Sequence, residues 1–132
     1  ILKGDYAFLL YSPHSLCREF YIECTCNMMR PRTIVDYERI PWILDAGTVR
    51  ITFDSDVRAA IGSYDIFDTG LPALSVLEPG KLILEVKFTG MLPQLLRDVL
   101  PPPAAEFTAV SKYVLCYEKT RYMNGFEYWY ET

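Results

Sequence analysis

Two short segments of the chain alternate charged and apolar residues with the period of a β-strand. The segment VRITFD at positions 49–54 places Arg50 on its charged face, and KLILEVKF at 81–88 places Glu85 and Lys87 together. Successive side chains of a strand point to opposite faces, so each segment has one apolar and one charged face. Arginine and lysine bind phosphate oxygens, and a carboxylate binds a hard divalent cation. These residue types therefore suit a phosphate polyanion with a bound metal ion.

The same alternation has a simpler interpretation. An antiparallel sheet with one face in water shows apolar residues inside and charged residues outside. A closed barrel whose charged face lines the interior gives the same pattern. The alternation by itself does not separate a solvated face from a barrel interior.

Further candidates for anion binding lie on two other segments. Tyr37 and Arg39 share one face of a predicted strand, and Lys112 lies on a predicted helix. Outside a site, such an arginine would form a weak surface ion pair and such a lysine would be exposed. The chain has no glycine-rich phosphate loop, and its single histidine, His14, has no evident partners for nucleophilic catalysis.

Periodicity and turn residues predict mixed helices and strands. Ser12-Pro13 is typical of a helix start, and Glu78-Pro79-Gly80 is typical of a turn before a strand. An aromatic tail at 126–130 is predicted to be a strand or a packed loop. The predicted strands span 33–42, 48–54, 57–67 and 81–88, and the predicted helices span 13–29, 91–100 and 107–121, after a short helix within 1–11.

Composition excludes several classes of protein. The chain has 132 residues, of which 51% are hydrophobic, so it is predicted to form one domain spanning residues 1–132. A net charge of -4 argues against a broad basic surface for nucleic acid or an anionic membrane. No membrane span is predicted. The four cysteines lack zinc spacing, which favours reduced, mostly buried thiols and a cytoplasmic location.

Five ordered segments resemble a known family. Arg30–Arg32, Val35–Arg39, Val49–Asp54, Leu84–Lys87 and Ser111–Tyr113 are similar to the VTC domain, the polyphosphate polymerase domain among the CYTH-like triphosphate tunnel metalloenzymes. The resemblance covers about residue 1 to about residue 120. It implies an α+β fold in which antiparallel strands form part of a tunnel barrel, with amphipathic helices packed outside.

The resemblance also implies an activity and a set of site residues. The activity is transfer of the terminal phosphate of ATP to polyphosphate, helped by Mn²⁺ or Mg²⁺. In this sequence, the residues expected to act are Arg39, Arg50 and Lys112 in catalysis and substrate binding, Lys87 and Tyr37 in substrate binding, and Glu85 as the metal ligand.

The sequence departs from the family in one important respect. The strands expected from the N-terminal half of the tunnel do not occur in it. We expect either that the chain is the C-terminal half of a longer VTC-type domain or that a second chain completes the sheet. We also expect little turnover by the 132-residue chain alone. Two other functions stay open: an inorganic triphosphatase of the same superfamily, and a non-catalytic module that binds polyphosphate or inositol phosphates.

Overall fold

The structure, a computed structural model, describes residues 1–45, 48–103 and 105–124. It begins with a 3-10 helix at Ala7–Tyr11. The elements that follow are α1 (Ser15–Thr25), β1 (Val35–Leu44), β2 (Val49–Ala60), β3 (Ala73–Ser75), β4 (Ile83–Lys87), α2 (Gln94–Val99) and α3 (Lys112–Thr120).

The long strand β2 organises an antiparallel sheet. It pairs with β1 along one edge, while β3 and β4 pair with separate parts of its other edge. The predicted α+β class with antiparallel strands is therefore confirmed. The strands of the described residues form an open sheet. The tunnel barrel that the resemblance implies stays a prediction.

The two faces of this sheet differ in chemistry. We call the face that carries Arg39, Arg50, Asp54, Glu85 and Lys87 the charged face, and the opposite one the apolar face. The register places Arg39 opposite Asp54 and Arg50 opposite Lys87. Directly paired residues of neighbouring strands lie on the same face, so the predicted alternation of β2 and β4 is realised in one shared surface.

A bulge in β2 changes what its charged face carries. Glu38 pairs with Ser55, but Asp36 pairs with Arg58, so β2 has one more residue than β1 between these pairs. Asp56 lies within the irregularity with a φ of 48°. An extra residue shifts the alternation of a strand by one position. Before the bulge, the even-numbered residues of β2 lie on the charged face. Beyond the bulge, the odd-numbered residues lie on that face instead.

The shifted alternation creates the surface on which α3 packs. Val57, Ala59 and Cys116 are fully buried and form one hydrophobic cluster. The Cys116 thiol also donates a hydrogen bond to the Arg58 carbonyl oxygen at 3.5 Å. Helix α3 is thus held on the charged face, next to the polar residues, by apolar residues that the bulge directs there.

This placement differs from the predicted one. The family resemblance led us to expect helices over the apolar face, yet α3 packs on the charged face. On the apolar face of β1, the side chains of Ile40, Trp42 and Leu44 stay 59%, 63% and 41% exposed. The reason is the bulge, which period-2 reasoning does not anticipate.

Several element boundaries also differ from the predictions. The predicted strands at 48–54 and 57–67 form one strand, β2, because the bulge preserves pairing across the interruption, and residues 61–67 lie outside any strand. Helix α1 begins at Ser15 with His14 as N-cap, and not at Pro13. The helix predicted at 107–121 begins at Lys112. The short strand β3 was not predicted, and the aromatic tail lies outside the described residues.

The bulge gives a test of backbone conformation. Asp56→Gly and Asp56→Val remove the same carboxylate, which makes a 3.4 Å surface ion pair with Arg58. A positive φ suits glycine and strains a β-branched residue. We expect the free energy of unfolding of Asp56→Val to be lower than that of Asp56→Gly by about 1–2 kcal/mol in urea denaturation. Equal stabilities would contradict the left-handed conformation at this position.

The N-terminal elements form a second cluster, separate from the one under α3. Tyr6, Leu9 and Cys24 are buried there. Of the four free cysteines, Cys24 and Cys116 are buried, Cys17 is half-buried and Cys26 is exposed. No helix among the described residues combines the length and apolar character that a membrane crossing requires.

Candidate functional site

The charged face gathers the residues that the sequence singled out. Strand β2 brings Arg50 beside Lys87, and Thr52 beside Glu85, on β4. Strand β1 brings Arg39 opposite Asp54 on β2. The remaining two candidates, Tyr37 and Lys112, join them from the half-buried part of β1 and from the first residue of α3. The structure therefore places all six predicted site residues around one surface; their roles stay predictions.

Asp54 lies at the centre of this surface and is fully buried. Arg39 donates to it in a two-pronged fork, with Nε 2.6 Å from Oδ1 and Nη2 2.7 Å from Oδ2. Lys112 Nζ donates to Oδ2 at 2.6 Å. A buried carboxylate is stable only when its charge is paired and its oxygens accept hydrogen bonds, and these two cations satisfy both conditions.

Lys112 is held by the start of α3. Ser111 is the N-cap, and its hydroxyl oxygen accepts from the Val114 amide at 3.3 Å. A cation at a helix N-terminus is unfavourable because the helix dipole is positive there. The contact with Asp54 offsets that repulsion. The ring of Tyr37 adds a second contact, since Lys112 Nζ and the Arg39 guanidinium carbon lie 5.2 Å and 5.1 Å from its centroid.

Glu85 and Lys87 form the more open part of the surface. Lys87 Nζ lies 3.0 Å from Glu85 Oε1, and their side chains are 70% and 38% exposed, respectively. Arg50 is exposed beside them and has no carboxylate partner within the described part of the chain. Arg39, Arg50, Thr52, Glu85 and Lys87 line a cavity of about 50 Å³. This volume suits a few waters or an ion, so a longer ligand would lie across the open face.

A larger concavity lies elsewhere and has different chemistry. Its volume is about 490 Å³, and it runs along α1, lined by Leu16, Glu19, Phe20, Ile22 and Glu23. It is mostly apolar and its only charged residues are acidic. It therefore does not suit an anion, and the charged face is the better candidate despite its smaller cavity.

Ion pairing keeps the site residues charged at neutral pH. The hydrogen bonds from Arg39, with those from Lys112, lower the pKa of Asp54 to about 2, although burial opposes this. The same bond raises the pKa of Arg39 above its ordinary value. Hydrogen bonding by Lys87 lowers the pKa of Glu85, with smaller contributions from Lys112 and Arg39. Arg39, Asp54 and Glu85 are thus all ionised at neutral pH, at which phosphate chains carry several negative charges.

The lowered pKa of Asp54 predicts a loss of stability in acid. Its pKa in the fold is about 2, against an ordinary 3.8, so its contribution is present above about pH 4 and is lost as the pH falls towards 2. The difference corresponds to about 2 kcal/mol. We expect wild type to lose about this much more than Asp54→Asn between pH 4 and pH 2 in urea unfolding. Parallel pH profiles for the two proteins would contradict the shifted pKa.

The donors on this face can be compared with what a divalent metal requires. Among the described residues, no group of three or more His, Cys, Asp or Glu is arranged to hold a metal ion. Asp54 is already saturated by Arg39 and Lys112, which leaves Glu85 as the accessible carboxylate of the face. Mg²⁺ commonly binds through one or two carboxylates, with phosphate oxygens and waters completing its shell. Glu85 therefore fits a metal that arrives with a phosphate ligand.

Sequence reasoning missed two residues of this surface. Thr52 and Asp54 share a face of VRITFD with Arg50. Nothing in the spacing showed that Asp54 would pair with Arg39 and Lys112. The Thr52 hydroxyl is buried and has no hydrogen-bond partner among the described residues. The alternation of VRITFD was the available signal; the missing information was the register between β1 and β2.

Comparison with known proteins identifies the family of the chain. The sequence profile of the VTC domain matches residues 11–121, which contain every residue of the charged face. Neither the curated proteins nor the solved structures contain a significant match to the chain. The profile covers most of the 132 residues. The chain therefore belongs to the VTC domain family.

Proposed function

We propose that this chain carries one half of the polyanion site of a metal-dependent polyphosphate polymerase. Membership of the VTC family is consistent with a function related to polyphosphate. The observation that carries the proposal is the convergence of Arg39, Arg50, Lys87 and Lys112 on one face of the sheet. These four cations share the described part of that face with two carboxylates, so the surface is locally positive in a chain of net charge -4.

The geometry suits the charge distribution of a phosphate chain. A polyphosphate carries negative charge at every phosphate, so it requires several cations in a row more than one deep pocket. Arg50, Lys87 and the Arg39–Lys112 pair supply cations along the sheet from β4 to β1. An open strip of this kind binds by charge-assisted hydrogen bonds, with arginine forks giving orientation.

Phosphoryl transfer needs little covalent chemistry from the protein. Positioning of the donor and acceptor phosphates and neutralisation of the developing charge supply most of the acceleration. We assign Arg39, Arg50 and Lys112 to contacts with the phosphates that react, and Lys87 and Tyr37 to substrate binding. His14, the only histidine, is the N-cap of α1 and outside the site, which is consistent with a mechanism that has no histidine base.

Glu85 is assigned to the divalent cation, Mn²⁺ or Mg²⁺. Glu85 would hold the metal, whose positive charge would neutralise part of the charge of the phosphates. The contribution of Glu85 is one ionised carboxylate that is now paired with Lys87 at 3.0 Å. With the Glu85 carboxylate engaged by a cation, Lys87 would be available to the phosphate chain. Both residues are exposed enough to exchange partners without disrupting the sheet.

The open sheet explains why we propose half of a site. Among the described residues, cations approach the ligand from one side of the sheet, and we propose that further elements cover the exposed apolar residues of β1. A tunnel barrel would form if additional basic strands, from an N-terminal half of a longer chain or from a second chain, paired with this sheet. Water would then be excluded and the charge contacts would strengthen.

Calorimetric titration of the chain with tripolyphosphate tests the binding part of the proposal. We expect binding at low ionic strength that weakens as salt rises towards about 0.5 M, because exposed charge contacts are screened. Adding Mn²⁺ is expected to tighten binding in wild type and not in Glu85→Gln. Absence of tripolyphosphate binding at low salt would overturn the proposal.

Product analysis with ATP and Mn²⁺ tests the reaction. We expect little turnover by the chain alone, and phosphate transfer to polyphosphate by a protein in which the additional strands complete the tunnel. Release of inorganic phosphate from tripolyphosphate without chain growth would indicate a triphosphatase. Binding without turnover by the completed tunnel would indicate a polyphosphate-binding module.

A further inference from the structure

Asp54 is the acidic residue at the centre of a surface that is otherwise suited to anions. Its side chain is fully buried and accepts hydrogen bonds from Arg39 Nε and Nη2 and from Lys112 Nζ, at 2.6, 2.7 and 2.6 Å. An acidic group weakens the attraction of a site for a polyanion. Asp54 must therefore make a favourable contribution to the site that outweighs this repulsion.

The contacts with Arg39 define the direction of the guanidinium. Two of its nitrogens face the Asp54 carboxylate, and a planar fork held at two points has almost no rotational freedom. The Nη1 amino group is not used in this fork. It remains the part of Arg39 that is available to a phosphate. A free arginine would have to be ordered when the ligand binds, whereas this one is ordered beforehand.

The contact with Lys112 brings two cations to one oxygen. Arg39 Nη2 and Lys112 Nζ both donate to Oδ2 of Asp54. Two like charges at neighbouring positions repel each other unless an opposite charge lies between them. Asp54 supplies that charge from the buried side, so its partners can occupy adjacent positions without separating.

We infer that Asp54 is the positioning residue of the site, the internal counter-ion that holds Arg39 and Lys112 side by side for a phosphate chain. The inference rests on the proposed function. It assigns Asp54 no direct contact with the ligand. It differs from a purely electrostatic view, in which a carboxylate among cations only weakens polyanion binding.

The two views predict opposite results for Asp54→Asn. The substitution preserves shape and removes one negative charge, so simple electrostatics predicts tighter tripolyphosphate binding. If Asp54 orders its two partners, binding should weaken about tenfold, because both long side chains must then be ordered by the ligand. Calorimetric titration at low ionic strength measures the difference. Equal or tighter binding by Asp54→Asn would overturn the inference.

Asp36→Asn is the matched control. Asp36 lies on the opposite face of β1, is 52% exposed in its side chain, and pairs with Arg58 at 2.6 Å. Its substitution changes the net charge by the same amount as Asp54→Asn. We expect unchanged or slightly tighter binding by this variant. If Asp36→Asn weakened binding as much as Asp54→Asn, the effect would not belong to the site and the inference would fail.

A second measurement uses wild type, so its result does not depend on whether a variant folds. In wild type, the Arg39 Nε–H proton should give a slowly exchanging NMR signal, because it donates to a buried carboxylate. On addition of tripolyphosphate, this signal should stay in place while signals of the Lys112 ammonium and the Arg39 Nη1 group shift. Movement of the Nε–H signal to a phosphate-bonded position would show that the ligand replaces Asp54, and would overturn the inference.

Failure of the inference and failure of the proposed function give different results. If wild type does not bind tripolyphosphate, the proposed function is overturned and the assignment of Asp54 with it. If wild type binds and Asp54→Asn binds as well or better, only the assignment of Asp54 is overturned. Weaker binding by Asp54→Asn, with a retained Nε–H signal in wild type, supports both.

Discussion

Arg39→Met is expected to lower the free energy of unfolding by about 3 kcal/mol, the largest effect that we predict for a single substitution in this site. The methionine preserves most of the apolar stem, so the loss comes from Asp54, which would stay fully buried with Lys112 as its remaining cation. Unfolding in urea at neutral pH measures it. The pKa of Asp54 should rise towards its ordinary value, since hydrogen bonding by Arg39 is the main cause of its depression.

A double-mutant cycle separates this pair from general damage to the sheet. Asp54→Asn in the Arg39→Met background removes a buried charge that has lost one of its two cations, so we expect it to restore part of the lost stability. Arg39→Lys should be intermediate, because an ammonium cannot reproduce the two-point fork. Simple additivity of Arg39→Met and Asp54→Asn would contradict a direct interaction between these side chains.

Arg50→Ala is expected to weaken tripolyphosphate binding by about ten- to one-hundredfold while changing stability by less than about 0.5 kcal/mol. Arg50 is exposed and lines the cavity with Glu85 and Lys87, and it makes no ion pair among the described residues. Its guanidinium is therefore available to the ligand without the exchange of an internal partner. Calorimetry and urea unfolding on the same samples measure the two effects.

Arg97→Ala is the matched control for Arg50. It removes the same charge from the last turn of α2, and Arg97 is not among the residues that line the cavity of the charged face. If binding depends only on net charge, Arg97→Ala and Arg50→Ala should weaken it equally. A binding loss confined to Arg50→Ala supports a local site, and wild-type binding by Arg50→Ala would remove this residue from the proposed function.

These two predictions separate the parts of the site by their physical role. Arg39 is hydrogen-bonded to a buried carboxylate, so its substitution should lower both the free energy of unfolding and the affinity for tripolyphosphate. Arg50 has no such partner among the described residues, so its substitution should lower only the affinity for tripolyphosphate. The contrast follows from burial and pairing, which differ between two arginines of the same face.

The candidate residues could be chosen from the sequence because strand periodicity is local. Alternation of charged and apolar residues in VRITFD and KLILEVKF depends only on neighbours in the chain, and it placed Arg50, Glu85 and Lys87 on charged faces. The ordered segments also sufficed to indicate the VTC family. Neither observation required knowledge of which strands pair.

The role of Asp54 and the position of α3 depended on long-range geometry. Arg39 and Lys112 are 15 and 58 residues from Asp54 in the chain, and only the β1–β2 register and the packing of α3 bring them to its carboxylate. That packing depends in turn on the bulge at Asp56, which directs Val57 and Ala59 to the charged face. A local pattern can determine which face a side chain shares with its neighbours in the strand, but strand register, bulges and helix packing are decided by the tertiary structure, because they arise from contacts between distant segments.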